Sequence, residues 1–297
     1  MKRMKVNKSA LVAHIVLICF VLFCTLPTLL LVTSSLSDND SVFRNGYSFW
    51  PKEWSLEAYR YMATQGQTIF RAYGISILTT FIGTISGLML TAMLGYTLSR
   101  NELPGRKIIN FLVFFTLLFN GGMVPTYLLY VNTLHVKNTI FALLLPNNIL
   151  VNGFNVLLVR TYFNNNTPKE LIESAMVDGA KEFRIFFIIM PISKPILATV
   201  GLLIGIGYWN DWYNGLLYLT NTKLFSLQNY LNRILLDIQF MTQSMAGSAE
   251  AANALGKMPT ITVRMAIAVI GILPLMMIFP FFQSYFARGM TVGAVKG

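Results

Sequence analysis

The sequence predicts an all-α polytopic membrane protein with six transmembrane helices. Composition, a series of long apolar runs and the sidedness of the basic loops carry that prediction. Of 297 residues, 55% are hydrophobic and 12% charged, a balance suited to lipid rather than to a soluble core. The formal net charge of +11 raises the question of nucleic acid. The basic residues, however, are spread over short loops instead of gathered on one face, and cationic loops are what membrane orientation requires. Cys19 and Cys24 both lie in the first apolar run and read as small buried hydrophobes. No loop carries a disulfide or zinc pattern.

The chain opens with Lys2, Arg3, Lys5 and Lys8, followed by an apolar run from Ala10 to Thr33. That run is too long for a signal peptide core and no A-x-A cleavage site follows, so a retained first helix is expected. The polar segment Asp38 to Arg71 holds Trp50 and Trp54, which suit a membrane–water boundary. The second span is Ala72 to Leu98, where Gly83-x-x-x-Gly87 offers close helix contact. The third, Ile108 to Val131, is broken by Asn120-Gly121-Gly122 and Pro125. Irregular backbone at membrane depth is tolerated only where protein or water covers it. The fourth, Thr139 to Val159, contains Pro146, Asn147, Asn148, Asn152 and Asn155. The fifth, Ile196 to Leu219, holds Gly201-x-x-x-Gly205 and then Tyr208-Trp209-Asn210-Asp211-Trp212. A polar segment from Thr220 to Thr260 precedes the sixth span, Thr262 to Ala287. The expected domains are residues 1–71 (tail, first helix and outer segment), 72–287 (the remaining five helices) and 288–297 (tail).

The stretch Thr167 to Pro191 stands between the fourth and fifth spans. Thr167 and Glu170 have capping-box spacing, with Pro168 at the first helical position. Leu171, Ile172, Ala175 and Met176 share one face of a short helix, and Gly179 can take the left-handed conformation that ends it. Phe183, Phe186, Phe187 and Met190 then recur at helical spacing, and Pro191 and Pro195 mark entry into the next span. The expectation is a helix–turn–helix with an apolar face. That face docks on a partner or packs on the protein's own helices.

Placing the amino terminus inside sets more than half of the 23 Lys and Arg residues on that side. They include Arg100, Arg106 and Lys107 in one short loop and Lys169, Lys181, Arg184 and Lys194 around Thr167–Pro191. The remaining ones fall mostly in two long segments, where charge steers topology least. Both termini and the helix–turn–helix are therefore expected in the cytoplasm.

Glu173-Ser174-Ala175, Asp178-Gly179-Ala180 and Ile188-Ile189-Met190-Pro191 resemble the EAA loop of binding-protein-dependent ABC importer permeases. Ser174 and Met190 depart from the usual Ala and Leu. Further stretches resemble the carbohydrate branch of that family, specifically the second permease of the maltose transporter in its lipoprotein-linked oligosaccharide subgroup. They are Asn120-Gly121-Gly122-Met123-Val124-Pro125-Thr126, Trp209-Asn210-Asp211-Trp212, Met258-Pro259-Thr260, Phe281 to Phe286 and the tail Gly293 to Gly297. The resemblance covers nearly the whole chain and implies the type I ABC importer permease fold. It also implies a second, unlike permease, a cytoplasmic ATPase dimer that binds ATP and Mg, an extracytoplasmic solute-binding protein and a carbohydrate substrate. No cofactor is expected on this chain. The loop residues carried over for ATPase coupling are Glu170, Glu173, Ser174, Ala175, Asp178, Gly179, Ala180 and Phe183. In that family the last outer loop can enter the binding protein, which the run Ser244 to Leu255 matches by its small residues.

Polar residues within the spans are mostly amides, hydroxyls and aromatics. Asn120, Asn147, Asn148, Asn152, Trp209, Asn210, Asp211 and Trp212 are the candidates for the translocation path. Such groups suit hydroxyl-rich solutes, and equally they cap broken helices and bridge neighbours. The chain carries no G-x-x-x-x-G-K-[ST] phosphate loop. Its two histidines, His14 and His135, support no catalytic set or metal site. The expectation is a transport subunit without enzymatic activity. The other reading is an ion-coupled secondary transporter or channel built on the broken spans, for which Asp211 is thin support as an ion site.

Overall fold

The computed structural model describes residues 8–149, 152–244 and 260–291. Fourteen α-helices and no strand occur among them, with one isolated bridge, Ser37 to Trp54. The helices fall into two compact units. One holds residues 1–66 and 233–274, the other 67–232 and 275–297.

In the first unit, α1 is a single helix, Lys8–Ser35. Many of its apolar side chains, Phe20, Phe23 and Val12 among them, are well exposed, as a lipid-facing span requires. Asp38 accepts a hydrogen bond from the Ser41 amide at 3.0 Å and so caps α2, Asn39–Asn45. The Ser35 and Tyr59 hydroxyls meet at 2.8 Å, tying α1 to α3, Glu57–Thr64. Trp50 and Trp54 pack edge to face and both stay more than half exposed, consistent with an interfacial position.

The second unit is organised around α4, Gly66–Ser99. Its glycines are used as the spacing suggested. A Cβ at Gly83 would stand 2.4 Å from the Tyr208 ring, and Gly201 and Gly205 of α11 (Lys194–Trp209) face Leu88 and Thr84. Helix α8, Gly153–Asn166, lies against both α4 and α5 (Arg106–Leu118): Gly95 meets Val159, and Gly153 meets Leu117. Leu98, Val113 and Val156 close that seam.

Among the described residues, three helices are long and apolar enough to cross a membrane: Leu11–Ser35, Gly66–Ser99 and Ile261–Phe281 of α14 (Thr260–Thr291). Five spans result if two bent pairs count as one span each. The third expected span is such a pair. Helix α5 ends at Leu118, and α6 (Met123–Leu128) with a π turn, Leu129–Thr133, leaves at 115°. The other pair joins α10 (Glu182–Ile189), which precedes the expected fifth span, to Lys194–Tyr218, which covers most of it, at 88°. The fourth expected span, Thr139 to Val159, is not one helix. It divides into α7 (Phe141–Leu144), a π turn Leu145–Ile149 and α8. Pro146 has no N–H to donate, and Asn152 starts a new helix by accepting the Asn155 amide at 3.2 Å.

Candidate functional site

The expected helix–turn–helix is present. Helix α9 runs Lys169–Val177 and is followed by α10. Gly179 is left-handed, with φ +78°. The Gly179 amide donates to the Met176 carbonyl and the Ala180 amide to the Ala175 carbonyl, both at 2.9 Å. That pair of bonds is a Schellman closure, and Ala175 and Ala180 supply its apolar contact.

Two details of the expectation need correction. The Thr167–Glu170 capping box does not form: no side chain caps α9, which begins after Pro168. Thr167 is already committed, because its amide closes α8 on the Phe163 carbonyl at 3.3 Å. Its extended backbone, φ −93° and ψ 118°, is what a following proline favours. Glu170 remains in the first turn, where a carboxylate complements the helix dipole.

The second correction concerns which apolar face is free. Ala175 is only 6% exposed and joins Tyr96, Phe163, Ile185, Phe186 and Ile189 in one core. Leu171 and Ile172 are half-buried. In α10 the buried face is Ile185, Phe186 and Ile189, whereas Phe183 and Phe187 pack on each other at 5.0 Å and stay outside. What the loop presents is its tip: Val177 at 88% exposure, Phe183 at 61% and Met176 at 43%. Glu173, Ser174, Asp178 and Lys181 surround them, all exposed. Leu171, Ile172 and Ala175 of the stripe read from the sequence thus face inward, whereas Met176 and Phe183 join Val177 in an exposed apolar tip beside charged residues.

The structure adds a residue that the sequence reading did not select. Tyr96 donates its hydroxyl to Oε2 of Glu182 at 2.7 Å, and Arg100 donates to Oε1 at 3.2 Å. Beside them is a cleft of about 280 Å³ lined by Arg100, Glu102, Phe163, Lys169, Glu173 and Met176, among others.

The residues proposed for a translocation path are scattered in role. Asn120 accepts the Gly122 amide at 2.8 Å, so it stabilises the turn between α5 and α6. Asn147 donates to the Gly207 carbonyl at 3.4 Å, bridging the π turn to α11. Asn152 is the cap described above, and the Asn148 side chain lies outside the described residues. Trp209 is buried against Tyr73, whereas Asn210 and Trp212 are exposed. Asp211 accepts the amide of Asn214 at 3.1 Å and its side-chain NH2 at 3.0 Å. From the position before the N-cap, Trp212, it therefore satisfies a first-turn amide of α12, Tyr213–Tyr218. Its own carbonyl accepts from the Ser226 hydroxyl at 3.2 Å. Asp211→Asn keeps an acceptor there, while Asp211→Ala removes it and should cost about 1 kcal/mol. A larger drop in unfolding midpoint for Ala than for Asn, measured in detergent, is the expected result.

A long all-α chain with apolar helices long enough to cross a membrane, and bent pairs besides, defines a polytopic membrane protein. Comparison with known proteins gives the family. No protein-family model matches the chain. The chain is 35% identical over 282 residues to the polygalacturonan/rhamnogalacturonan transport system permease protein YtcP of Bacillus subtilis, covering 95% of this chain and 96% of that one. It is 30% identical over 276 residues to the arabinooligosaccharides transport system permease protein AraQ of Halalkalibacterium halodurans, covering 91% of each. Among solved structures, it matches a chain of a bacterial ABC transporter involved in the import of the acidic polysaccharide alginate. The TM-score is 0.78 and the identity 27%, covering 96% of this chain and 99% of that one. The chain belongs to the permeases of sugar ABC transport systems, membrane transport subunits rather than enzymes.

Proposed function

We propose that the chain is the permease subunit of an ATP-driven, binding-protein-dependent importer of an oligosaccharide, and that the 167–191 loop seats in a separate ATPase. The observation that carries the seat is the exposed apolar tip, Met176, Val177 and Phe183, on a loop whose other face is fixed in the protein's own core. A soluble protein surface explains such a tip better than lipid does, because charged residues ring it. Both termini lie on the ATPase side, and a second, unlike permease completes the pathway. ATP and Mg are bound by the ATPase subunits, and this chain contributes no nucleotide loop. Closure of the ATPases moves the loop, and the spans rock to open the pathway on alternate sides. The substrate is a neutral or acidic glycan recognised chiefly by the partner proteins. The relatives named for polygalacturonan, rhamnogalacturonan and alginate support that class.

Uptake by the reconstituted complex tests this reading. Oligogalacturonides, arabino-oligosaccharides and oligopeptides should be offered with their binding protein and internal ATP. ATP-dependent entry of a glycan is the expected result. Dependence on peptides alone, or uptake driven by an ion gradient without ATP, would refute it.

A further inference from the structure

Tyr96 stands where three segments meet. Its ring packs edge-on against Phe163 of α8 at 5.9 Å and tilted against Phe186 of α10 at 5.5 Å. Its hydroxyl and the Arg100 guanidinium hold the two oxygens of one carboxylate, Glu182. Tyr96 is in the last turn of α4 and Arg100 follows the helix directly, so one turn of backbone carries both donors. The Arg100 side chain is 12% exposed, with Glu182 at 3.2 Å and Glu102 at 3.7 Å as its counter-ions. The Tyr96 bond to this carboxylate, at 2.7 Å, is short and directional, whereas the Glu182 side chain is 60% exposed, so its ion pair with Arg100 orients more than it stabilises.

The other contacts of α4 extend this connection. Helix α4 runs unbroken from Ser99 back to Gly66. Gly83 receives the Tyr208 ring, and the Tyr208 hydroxyl donates to the Leu144 carbonyl at 2.9 Å, beside the π turn at Pro146. Contacts thus run without a gap from α10, through a packed ring and a paired carboxylate, to α4, and from α4 to α11 and the break at Leu144.

We propose that Tyr96, Arg100 and Glu182 form a joint that converts movement of the 167–191 loop into movement of α4. These are positioning residues, acting through the helices rather than on the solute. The proposal rests on the reading of the loop as the ATPase seat. A joint differs from a simple brace in what its loss does. A brace would cost stability or ATPase binding. A joint would leave both and waste ATP.

The test uses the complete complex in liposomes and the oligosaccharide that the uptake assay identifies. Tyr96→Phe keeps both ring contacts and removes the hydroxyl, and Glu182→Gln keeps shape and removes charge. The variants should retain the ATPase subunits and unfold within a few degrees of the parent. The ATP hydrolysed per solute imported should rise clearly above that of the parent complex. An unchanged ratio in both variants overturns the joint, and so does loss of the ATPase, which would mark a brace. Failure of the underlying reading looks different: the unmutated complex would itself hold no ATPase.

Discussion

Replacing Gly179 with valine should release the ATPase subunits while leaving the chain in the membrane. Gly179 sits at φ +78°, where an L-residue pays about 1–2 kcal/mol and a β-branched one is worse placed still. A Cβ there would meet nothing within 4 Å inside the chain, so the cost is conformational and not a clash. It falls on the two 2.9 Å hydrogen bonds that close α9 onto the Gly179 turn. Losing them lets Val177 and Phe183 drift apart, and these are the most exposed apolar residues of the tip. Insertion should be unaffected, because apolar runs and flanking charges elsewhere set topology. Purification of the Gly179→Val complex should yield membrane subunits with depleted ATPase. ATP hydrolysis that no longer responds to loaded binding protein would be the milder form of the same defect.

The second large effect is expected at Gly83. Its missing side chain is occupied by the Tyr208 ring, with the nearest ring atoms 2.4–2.5 Å from an added Cβ. The ring cannot swing aside freely: Tyr208 is 3% exposed and its hydroxyl is bound to Leu144. Gly83→Val should therefore separate α4 from α11 and cost about 1–3 kcal/mol as an overpacked interface. A fall in the detergent unfolding midpoint measures it. Removing the ring with Tyr208→Ala should make the Gly83 substitution cheaper than it is in the parent, a coupling that a double-mutant cycle detects.

These two glycines show what was legible in the sequence. Gly179 was readable because local backbone geometry alone demands it. Gly83, Gly201 and Gly205 were readable as small residues at helical spacing, although only the structure names Tyr208, Leu88 and Thr84 as their partners. The breaks at Asn120–Gly122 and Pro146 were visible because proline and glycine act locally. How far Pro146 divides the fourth span was not, since that depends on Asn152 restarting a helix.

Periodicity identified an apolar face on α9 but could not say what it packs on. Ala175 is buried in the chain's own core, so a bulky substitution there disturbs that core before it reaches any partner. The carboxylate joint was hidden for a plainer reason: Tyr96 and Glu182 are 86 residues apart, and nothing local signals the pairing. Asn138 is similar, with φ +57° and hydrogen bonds to Thr220 and Asn221 across the fold. The small-residue run expected to reach a binding protein lies, beyond Ser244, outside the described residues, as does the tail after Thr291.

The central claim is that this permease works through a separate ATPase seated on the tip of the 167–191 loop. Affinity purification of the tagged chain from its native membrane, beside Val177→Asp and Phe183→Asp variants, tests it most directly. The parent should bring a second permease and an ATPase in stoichiometric yield, and the variants should keep the permease and lose the ATPase. A parent chain that purifies without an ATPase and still transports, or variants that retain it in full, would contradict the account.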